Sequence, residues 1–217
     1  MLKAYESGWK SIVTSSSFPY DEHDLGPLVR SHSLRPEIFI KREELLIPTE
    51  RGLQLKATLF SEKKCKEYRK KPCVIYCHSH SANRIEGLPL IPYLVPDFNF
   101  AIFDFSGCGL SDGEYVTLGA KEKEDLRAVV EFLMHRYYVK KFFFWGRSMG
   151  AVTILRFLGT YCGDKEGRRG VRSKSVACCN TENEKGRKKR LRGCVFGAAL
   201  LDSPFEDVKG MVSLIIS

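Results

Sequence analysis

Four short runs of apolar residues are the feature that most narrows the possible folds of this chain. They lie at residues 73–77, 99–105, 141–145 and 194–201. Continuous apolar runs of this length are typical of strands that are buried on both faces, as in a parallel sheet. The segments at 120–138 and 149–158 suit helices, because the first repeats apolar residues at helical spacing and the second is largely apolar. This alternation predicts an α/β fold with a doubly wound, mostly parallel sheet.

The N-terminal part of the chain follows a different pattern. Residues 1–36 show no clean periodicity, and we interpret them as a loosely docked N-terminal arm. Apolar and charged residues mix in a strand-like way over 37–47, and Leu and Ala alternate with polar residues over 53–59. A turn containing Gly52 separates these two stretches, which predicts a pair of antiparallel strands. The predicted domains are therefore an arm at 1–36 and an α/β core at 37–217.

The pentapeptide Gly146-Arg-Ser-Met-Gly150 follows the third apolar run directly and precedes the apolar helix. A serine nucleophile needs this context, since it must stand on a sharp turn between a strand and a helix, where small neighbours permit the backbone to bend. The start of the helix also offers backbone N–H groups to a developing negative charge. Ser148 is therefore the candidate nucleophile. The alternative is an ordinary turn in which Ser148 only caps the helix.

A second candidate segment, His78-Ser-His-Ser-Ala-Asn-Arg84, follows the first apolar run. Where a serine nucleophile sits on such a turn, a loop after another strand supplies one backbone donor to the oxyanion hole, and the residue after the nucleophile supplies the other. Met149 is the predicted first donor, and Ser79 or His80 is the second. The side chains of His78 and His80 are interpreted as orienting the loop rather than taking part in chemistry.

A glycine-rich turn follows the second apolar run, and it is interpreted as structural. It reads Asp104-Phe-Ser-Gly-Cys-Gly-Leu-Ser-Asp-Gly113. Asp104 and Ser111 are expected to hold this turn by hydrogen bonds. Asp104 is not expected to be a catalytic acid, because it precedes Ser148 and the acid follows the serine in chains of this kind.

These segments resemble the α/β-hydrolase superfamily, and within it the serine-aminopeptidase-like hydrolases. The matching motifs lie at residues 78–80, 104–111, 146–151 and 201–205, and the resemblance covers roughly residues 37–161 and 194–217. It implies a serine hydrolase of esterase, thioesterase or peptidase type, which acts on a small molecule or an acyl-protein through an acyl-enzyme on Ser148. It implies no metal and no organic cofactor. Members of the family commonly have Gly where this chain has Ser79.

The resemblance also implies a catalytic histidine after the nucleophile, and none follows Ser148 in this sequence. The five histidines are His23, His32, His78, His80 and His135. Asp202, at the end of the fourth apolar run, is a candidate acid, with a capping or loop role as the alternative. Two explanations compete: a C-terminally truncated hydrolase that lacks its last strands and helices and is inactive as it stands, or a non-catalytic scaffold that binds a ligand or partner.

Charge is concentrated in one segment. Of the net charge of +9, an excess of seven basic residues lies at 164–192, with eleven Lys and Arg against four Asp and Glu. We interpret this segment as a solvated, disordered insertion. Contact with nucleic acid or an anionic membrane through 164–192 is the less favoured alternative. Eight cysteines without a C-x-x-C pair and an N-terminus without a secretory pattern favour a cytoplasmic protein with reduced thiols.

Overall fold

Strands and helices alternate along the chain, and the computed structural model describes them over residues 13–14, 18–64, 71–161 and 194–202, together with the backbone of short strands within 176–190. The strands are β1 (Val29–Ser31), β2 (Phe39–Pro48), β3 (Gln54–Glu62), β4 (Cys73–Cys77), β5 (Asn99–Phe103), β6 (Lys141–Arg147), β7 (Val176–Ala177), β8 (Asn180–Glu182), β9 (Lys188–Arg190) and β10 (Val195–Asp202). The helices are α1 (Ile91–Leu94), α2 (Glu122–Tyr137) and α3 (Met149–Tyr161), with 3-10 helices at Glu22–Leu25 and Arg84–Leu90.

The main sheet has the strand order β1-β2-β3-β5-β4-β6-β10-β7. Its centre is parallel, since β4 pairs in parallel with β5 and β6, and β10 pairs in parallel with β6. The strands β1, β2 and β3 pair antiparallel with one another, and β3 joins the centre by antiparallel pairing with β5. The chain order reverses around β4, the arrangement that places ligand sites at the carboxyl ends of the strands in open α/β sheets.

Alternate residues of the central strands face two separate hydrophobic cores. In β4, Cys73, Ile75 and Cys77 face the core that contains α2 and α3. Val74 and Tyr76 face the opposite core, which contains α1 and the 3-10 helix that precedes it. Burial on both faces explains why the strand is apolar at every position. The predicted α/β class, with a doubly wound sheet, is confirmed.

The N-terminal arm is packed more closely than the sequence predicts. Within the described residues 18–36, β1 pairs with β2 at one edge of the sheet, and the side chain of Leu25 is 1% exposed. The Tyr20 hydroxyl donates a hydrogen bond to Asp104, which lies 84 residues later in the chain. The expectation of loose docking is wrong for this part, because its anchors are long-range contacts rather than a periodic apolar pattern.

The predicted basic insertion at 164–192 is described only through the backbones of β7, β8 and β9. β7 pairs antiparallel with Val195 and Phe196, which lie at the start of β10. Since β10 runs parallel to β6, this pairing lies at the end of the sheet opposite Arg147. β8 and β9 form a separate two-stranded hairpin. The predicted disorder of the insertion and its contact with nucleic acid or membranes concern residues and side chains that lie outside the described part.

Candidate active site

Ser148 lies at the turn between β6, which ends at Arg147, and α3, which begins at Met149. Its φ angle is 49°, in the left-handed region that residues other than glycine rarely adopt. The Ser148 N–H donates to the carbonyl oxygen of Asp202 at 2.7 Å, and the Ser148 carbonyl accepts from the Val152 N–H at 3.1 Å. The side chain is half-buried. The turn is therefore held on both sides, by β10 and by the first turn of α3.

Both glycines of the pentapeptide are required by close packing. A Cβ on Gly150 would lie 2.0 Å from the carbonyl oxygen of Cys77, and a Cβ on Gly146 would lie 2.5 Å from Ile154 Cδ1 and 2.7 Å from the Ala151 nitrogen. α3 thus begins directly against the end of β4, where no side chain fits. This contact brings the Ser148 turn next to the loop that follows β4.

His78 holds the loop after β4 through both ring nitrogens. Its Nε2 accepts the Phe105 N–H at 3.1 Å, so the proton is on Nδ1, which donates to the Ser79 carbonyl at 2.7 Å. The side chain is fully buried, and burial lowers the pKa of the imidazole. A neutral ring with both nitrogens engaged has the loop-orienting role predicted for it and is not placed to act as a general base.

Acidification is expected to weaken the fold through His78. Since burial lowers the pKa of His78 from its ordinary value of 6.5, the unfolded chain binds the proton more readily than the folded chain. Stability is therefore highest above the ordinary pKa and falls as the pH drops toward the folded one. Urea unfolding at about pH 8 and about pH 5.5 should show a larger loss for the wild type than for His78→Gln. Equal losses would contradict this assignment.

Ser79 is engaged through both its backbone and its side chain. Its N–H donates to Glu86 Oε2 at 2.8 Å, and its hydroxyl donates to Glu86 Oε1 at 2.9 Å. Of the two predicted second donors, Ser79 and His80, the first therefore already has its N–H in a charge-assisted hydrogen bond. His80 follows directly and is half-buried.

A buried ionic network fixes the start of the 3-10 helix that follows this loop. Arg84 is fully buried, and its NH1 donates to Glu44 Oε2 at 2.8 Å and to the Thr58 hydroxyl at 2.9 Å. The Arg84 Nε lies 3.6 Å from Asp104 Oδ2, and the backbone N–H of Arg84 donates to Asp104 Oδ1 at 2.7 Å. Tyr20 bonds to both side chains. The loop is thereby tied to the carboxyl end of β5.

Asp104 and Ser111 hold the glycine-rich turn, as predicted. Asp104 is fully buried and accepts from the Leu110 N–H at 3.0 Å. A Cβ on Gly109 would lie 2.4 Å from the Asp104 carboxyl carbon, which explains this glycine. The Ser111 hydroxyl donates to the Asp104 carbonyl at 2.7 Å and accepts from the Lys56 N–H at 2.9 Å.

Asp202 reaches the Ser148 turn through its backbone and through Arg147. Its carboxylate lies 3.6 Å from the Arg147 Nε, and both side chains are about half exposed, at 52% and 57%. Arg147 also approaches Glu86, with NH1 3.4 Å from Oε1. A guanidinium therefore lies between two carboxylates beside the candidate nucleophile. The role of Asp202 as a catalytic acid remains a prediction.

The other histidines lie in different parts of the fold. His32 Nε2 bonds to the Val95 carbonyl at 2.7 Å, and His23 is in the first 3-10 helix. His135 lines a cavity of about 470 Å³ between the β2–β3 turn and α2. None of the residues that line this cavity belongs to the Ser148 turn or to the loop after β4. The four predicted site residues, Ser148, Met149, Ser79 and His80, therefore lie in two adjacent segments of the fold. The sequence analysis assigned no histidine partner to Ser148.

Sequence reasoning missed Glu86 and Arg147 as members of this site. The sequence signal that could have pointed to Glu86 is Asn83, which lies three residues before it. This spacing is typical of a helix N-terminus. Asn83 does cap the 3-10 helix, accepting from the Ile85 N–H at 3.0 Å. The Glu86 side chain turns to Ser79 instead of completing the capping pair, and only the folded structure shows this.

The described residues contain neither a cluster of metal ligands nor a helix suited to span a membrane. No group of three or more His, Cys, Asp or Glu in that part of the chain could hold a metal ion. None of the helices described is both long and apolar enough to cross a membrane.

Comparison with known proteins finds similarity at the level of sequence and structure. No family model matches the chain. A curated relative, the uncharacterized protein YqkD of Bacillus subtilis, is 33% identical over 93 residues, which are 42% of this chain and 30% of the relative.

Among solved structures, the Pyrococcus furiosus esterase Pf2001 matches in two crystal forms. One superposes with a TM-score of 0.53 at 26% identity and covers 68% of this chain and 52% of the esterase. The other has a TM-score of 0.52 at 25% identity and covers 68% and 53%. The chain therefore spans about half the length of these structures. The motifs indicated an α/β-hydrolase fold, and this structural similarity agrees with it: the chain has the fold of an α/β-hydrolase.

Proposed function

We propose that this chain carries the nucleophile of a serine hydrolase that acts on an ester, thioester or amide through an acyl-enzyme on Ser148. The observation that carries the proposal is the left-handed backbone of Ser148 at the junction of β6 and α3, with a φ of 49°. A non-glycine residue is kept in such a conformation only where the surrounding structure imposes it. In α/β-hydrolases a turn of this kind, the nucleophile elbow, presents the serine above the sheet.

The proposed oxyanion hole consists of the backbone N–H groups of Met149 and His80. Met149 is the first residue of α3, so its N–H lies at the positive end of the helix dipole. His80 is preferred to Ser79 because the Ser79 N–H already donates to Glu86. As Ser148 Oγ attacks the substrate carbonyl, two such donors would stabilise the negative charge on its oxygen.

The Ser148 hydroxyl also needs a group that takes its proton. No histidine follows Ser148 in this sequence, and His78 has both ring nitrogens bonded within its loop. Asp202 lies against Arg147, so it could serve as the acid of a triad only if a histidine reached it. We therefore propose that the base is not supplied by the residues described, and that the chain alone is a poor catalyst.

The chain alone is expected to hydrolyse short-chain p-nitrophenyl esters at a negligible rate. Removing triad members leaves only a residual enhancement of about 10³–10⁴-fold over water, which comes from the oxyanion hole and substrate binding. Release of p-nitrophenol should therefore be close to that of Ser148→Ala. Robust turnover that is lost in Ser148→Ala would contradict this expectation and would require a base among the present residues.

Ser148 itself is expected to react slowly with a fluorophosphonate probe, since the left-handed turn and the oxyanion donors favour its tetrahedral adduct even without a full triad. In-gel fluorescence should show labelling of the wild type and none of Ser148→Ala. Ser111→Ala, which removes a hydroxyl from the neighbouring glycine-rich turn, should still be labelled. Labelling that persists in Ser148→Ala would assign the reaction to another residue.

The second candidate function is a non-catalytic scaffold that binds a ligand or partner. The observation that favours it is that both ring nitrogens of His78 are bonded within its own loop, so this histidine is not placed to take the Ser148 proton. The probe separates the two functions, because a scaffold requires no reactive serine and would leave the wild type unlabelled.

A further inference from the structure

Glu86 makes three contacts that join the loop after β4 to the Ser148 turn. Its two carboxylate oxygens accept the Ser79 N–H at 2.8 Å and the Ser79 hydroxyl at 2.9 Å. Oε1 also lies 3.4 Å from Arg147 NH1. The Glu86 side chain is 15% exposed. A carboxylate this enclosed and this fully bonded is fixed in place.

The peptide between Ser79 and His80 is fixed from its other side. Its carbonyl, that of Ser79, accepts from His78 Nδ1 at 2.7 Å and from the Ala82 N–H at 3.2 Å. In a trans peptide the C=O and N–H point in opposite directions. Fixing the Ser79 carbonyl therefore fixes the direction of the His80 N–H. Glu86 holds the residue just before that peptide, so Ser79 is constrained at its N–H, its hydroxyl and its carbonyl.

We infer that Glu86 is a positioning residue that orients the His80 N–H as an oxyanion donor and couples this loop to the Ser148 turn through Arg147. The inference rests on the proposed function of Ser148. It also gives the Ser79 hydroxyl a role, because this hydroxyl supplies the second hydrogen bond to Glu86. Glu86 does not touch the reacting atoms, and it acts through the backbone of residues 79 and 80.

The first test measures the contact itself by NMR on the ¹⁵N-labelled chain. An amide N–H bonded to a carboxylate is expected to resonate downfield and to exchange slowly with solvent. In Glu86→Ala, the Ser79 amide should move upfield and exchange at least about tenfold faster, while the amide of Ile75 in β4 stays unchanged. Glu86→Gln, which keeps one acceptor oxygen, should fall between. A Ser79 amide that is the same in all three proteins would overturn the inference.

The second test asks whether positioning affects the reaction. Loss of one oxyanion donor typically lowers a rate by about 10²–10³-fold, so misorienting it in Glu86→Ala should lower the maximal rate of fluorophosphonate labelling by about 10–100-fold. The half-saturating probe concentration should stay within about twofold, because the donor acts on the transition state. Glu86→Gln should recover part of the rate. Glu131→Gln, a carboxylate on α2 paired with Arg127, is the matched control and should label like the wild type.

The outcomes separate the inference from the function on which it rests. A wild type that is not labelled overturns both. A wild type that is labelled, with Glu86→Ala equally fast, overturns the inference and leaves Ser148 as the nucleophile. A loss of rate that is accompanied by an equal rise in the half-saturating probe concentration would mean that Glu86 shapes binding rather than the oxyanion donor, and it also overturns the inference.

Discussion

Gly150→Ala is expected to destabilise the chain by about 3 kcal/mol or more, at the upper end of the range for overpacking in a tight site. The new Cβ would lie 2.0 Å from the Cys77 carbonyl oxygen and 2.9 Å from the Cys77 Cβ. Both belong to a buried central strand, so neither can move without disturbing the sheet. Chemical unfolding in urea should show a large fall in the midpoint, and the Ser148 turn should lose its reactivity with it.

Gly159→Ala, in the same helix, is the matched control. Apart from its own chain neighbours and helix backbone, no atom of the described residues lies within 4 Å of a Cβ built on Gly159, and its position is exposed. Alanine there should stabilise α3 by about 0.5–1 kcal/mol through helix propensity alone. If Gly150→Ala were as benign as Gly159→Ala, α3 would not begin against β4, and the proposed elbow would be wrong.

Arg84→Met is expected to cost about 3–5 kcal/mol of unfolding free energy. This is the usual effect of removing one partner from a buried ion pair, because the remaining charge stays buried and uncompensated. Asp104 is fully buried beside the Arg84 guanidinium, and Glu44 is only 25% exposed. The same change should loosen the loop that carries Ser79 and His80, because the Arg84 backbone is bound to Asp104.

Arg35→Met provides the comparison, since the ion pair of Arg35 with Asp97 is exposed on both sides and 3.9 Å long. Exposed pairs of this kind are worth about 0–1 kcal/mol. The two variants should therefore differ by several-fold in their effect on the urea midpoint. Similar midpoints for both variants would show that the Arg84 network contributes little to the fold.

The fold was largely predictable because its signal is local. The strands β4 and β5 are buried on both faces, so every residue from Cys73 to Cys77 is apolar and the run can be recognised from sequence. The bounds of α2 and α3 were also close to those predicted, because helical spacing shows along the chain. β1 was not predicted from the sequence, because it is a three-residue edge strand that is mostly exposed and has no alternating apolar pattern.

The candidate site was predictable only at positions where the backbone geometry limits which residue types can fit. Gly146 and Gly150 are visible because close packing excludes every side chain at those positions. The contact of Glu86 with Ser79 could not be predicted from the sequence, since a polar residue near the start of a short helix can form many different local hydrogen bonds. The hydrogen bonds that join Tyr20 to Arg84 and Asp104 were equally unpredictable from the sequence, because they connect distant segments of the chain.

The most direct test of the central claim is to map the fluorophosphonate adduct by tandem mass spectrometry. Trypsin cleaves after Arg147 and Arg156, so Ser148 begins a nine-residue peptide in which Thr153 is the only other hydroxyl-bearing residue. The account predicts that this peptide carries the adduct and that the fragment ions place it on Ser148. An adduct on any other residue, or a chain that carries none after prolonged exposure, would contradict it.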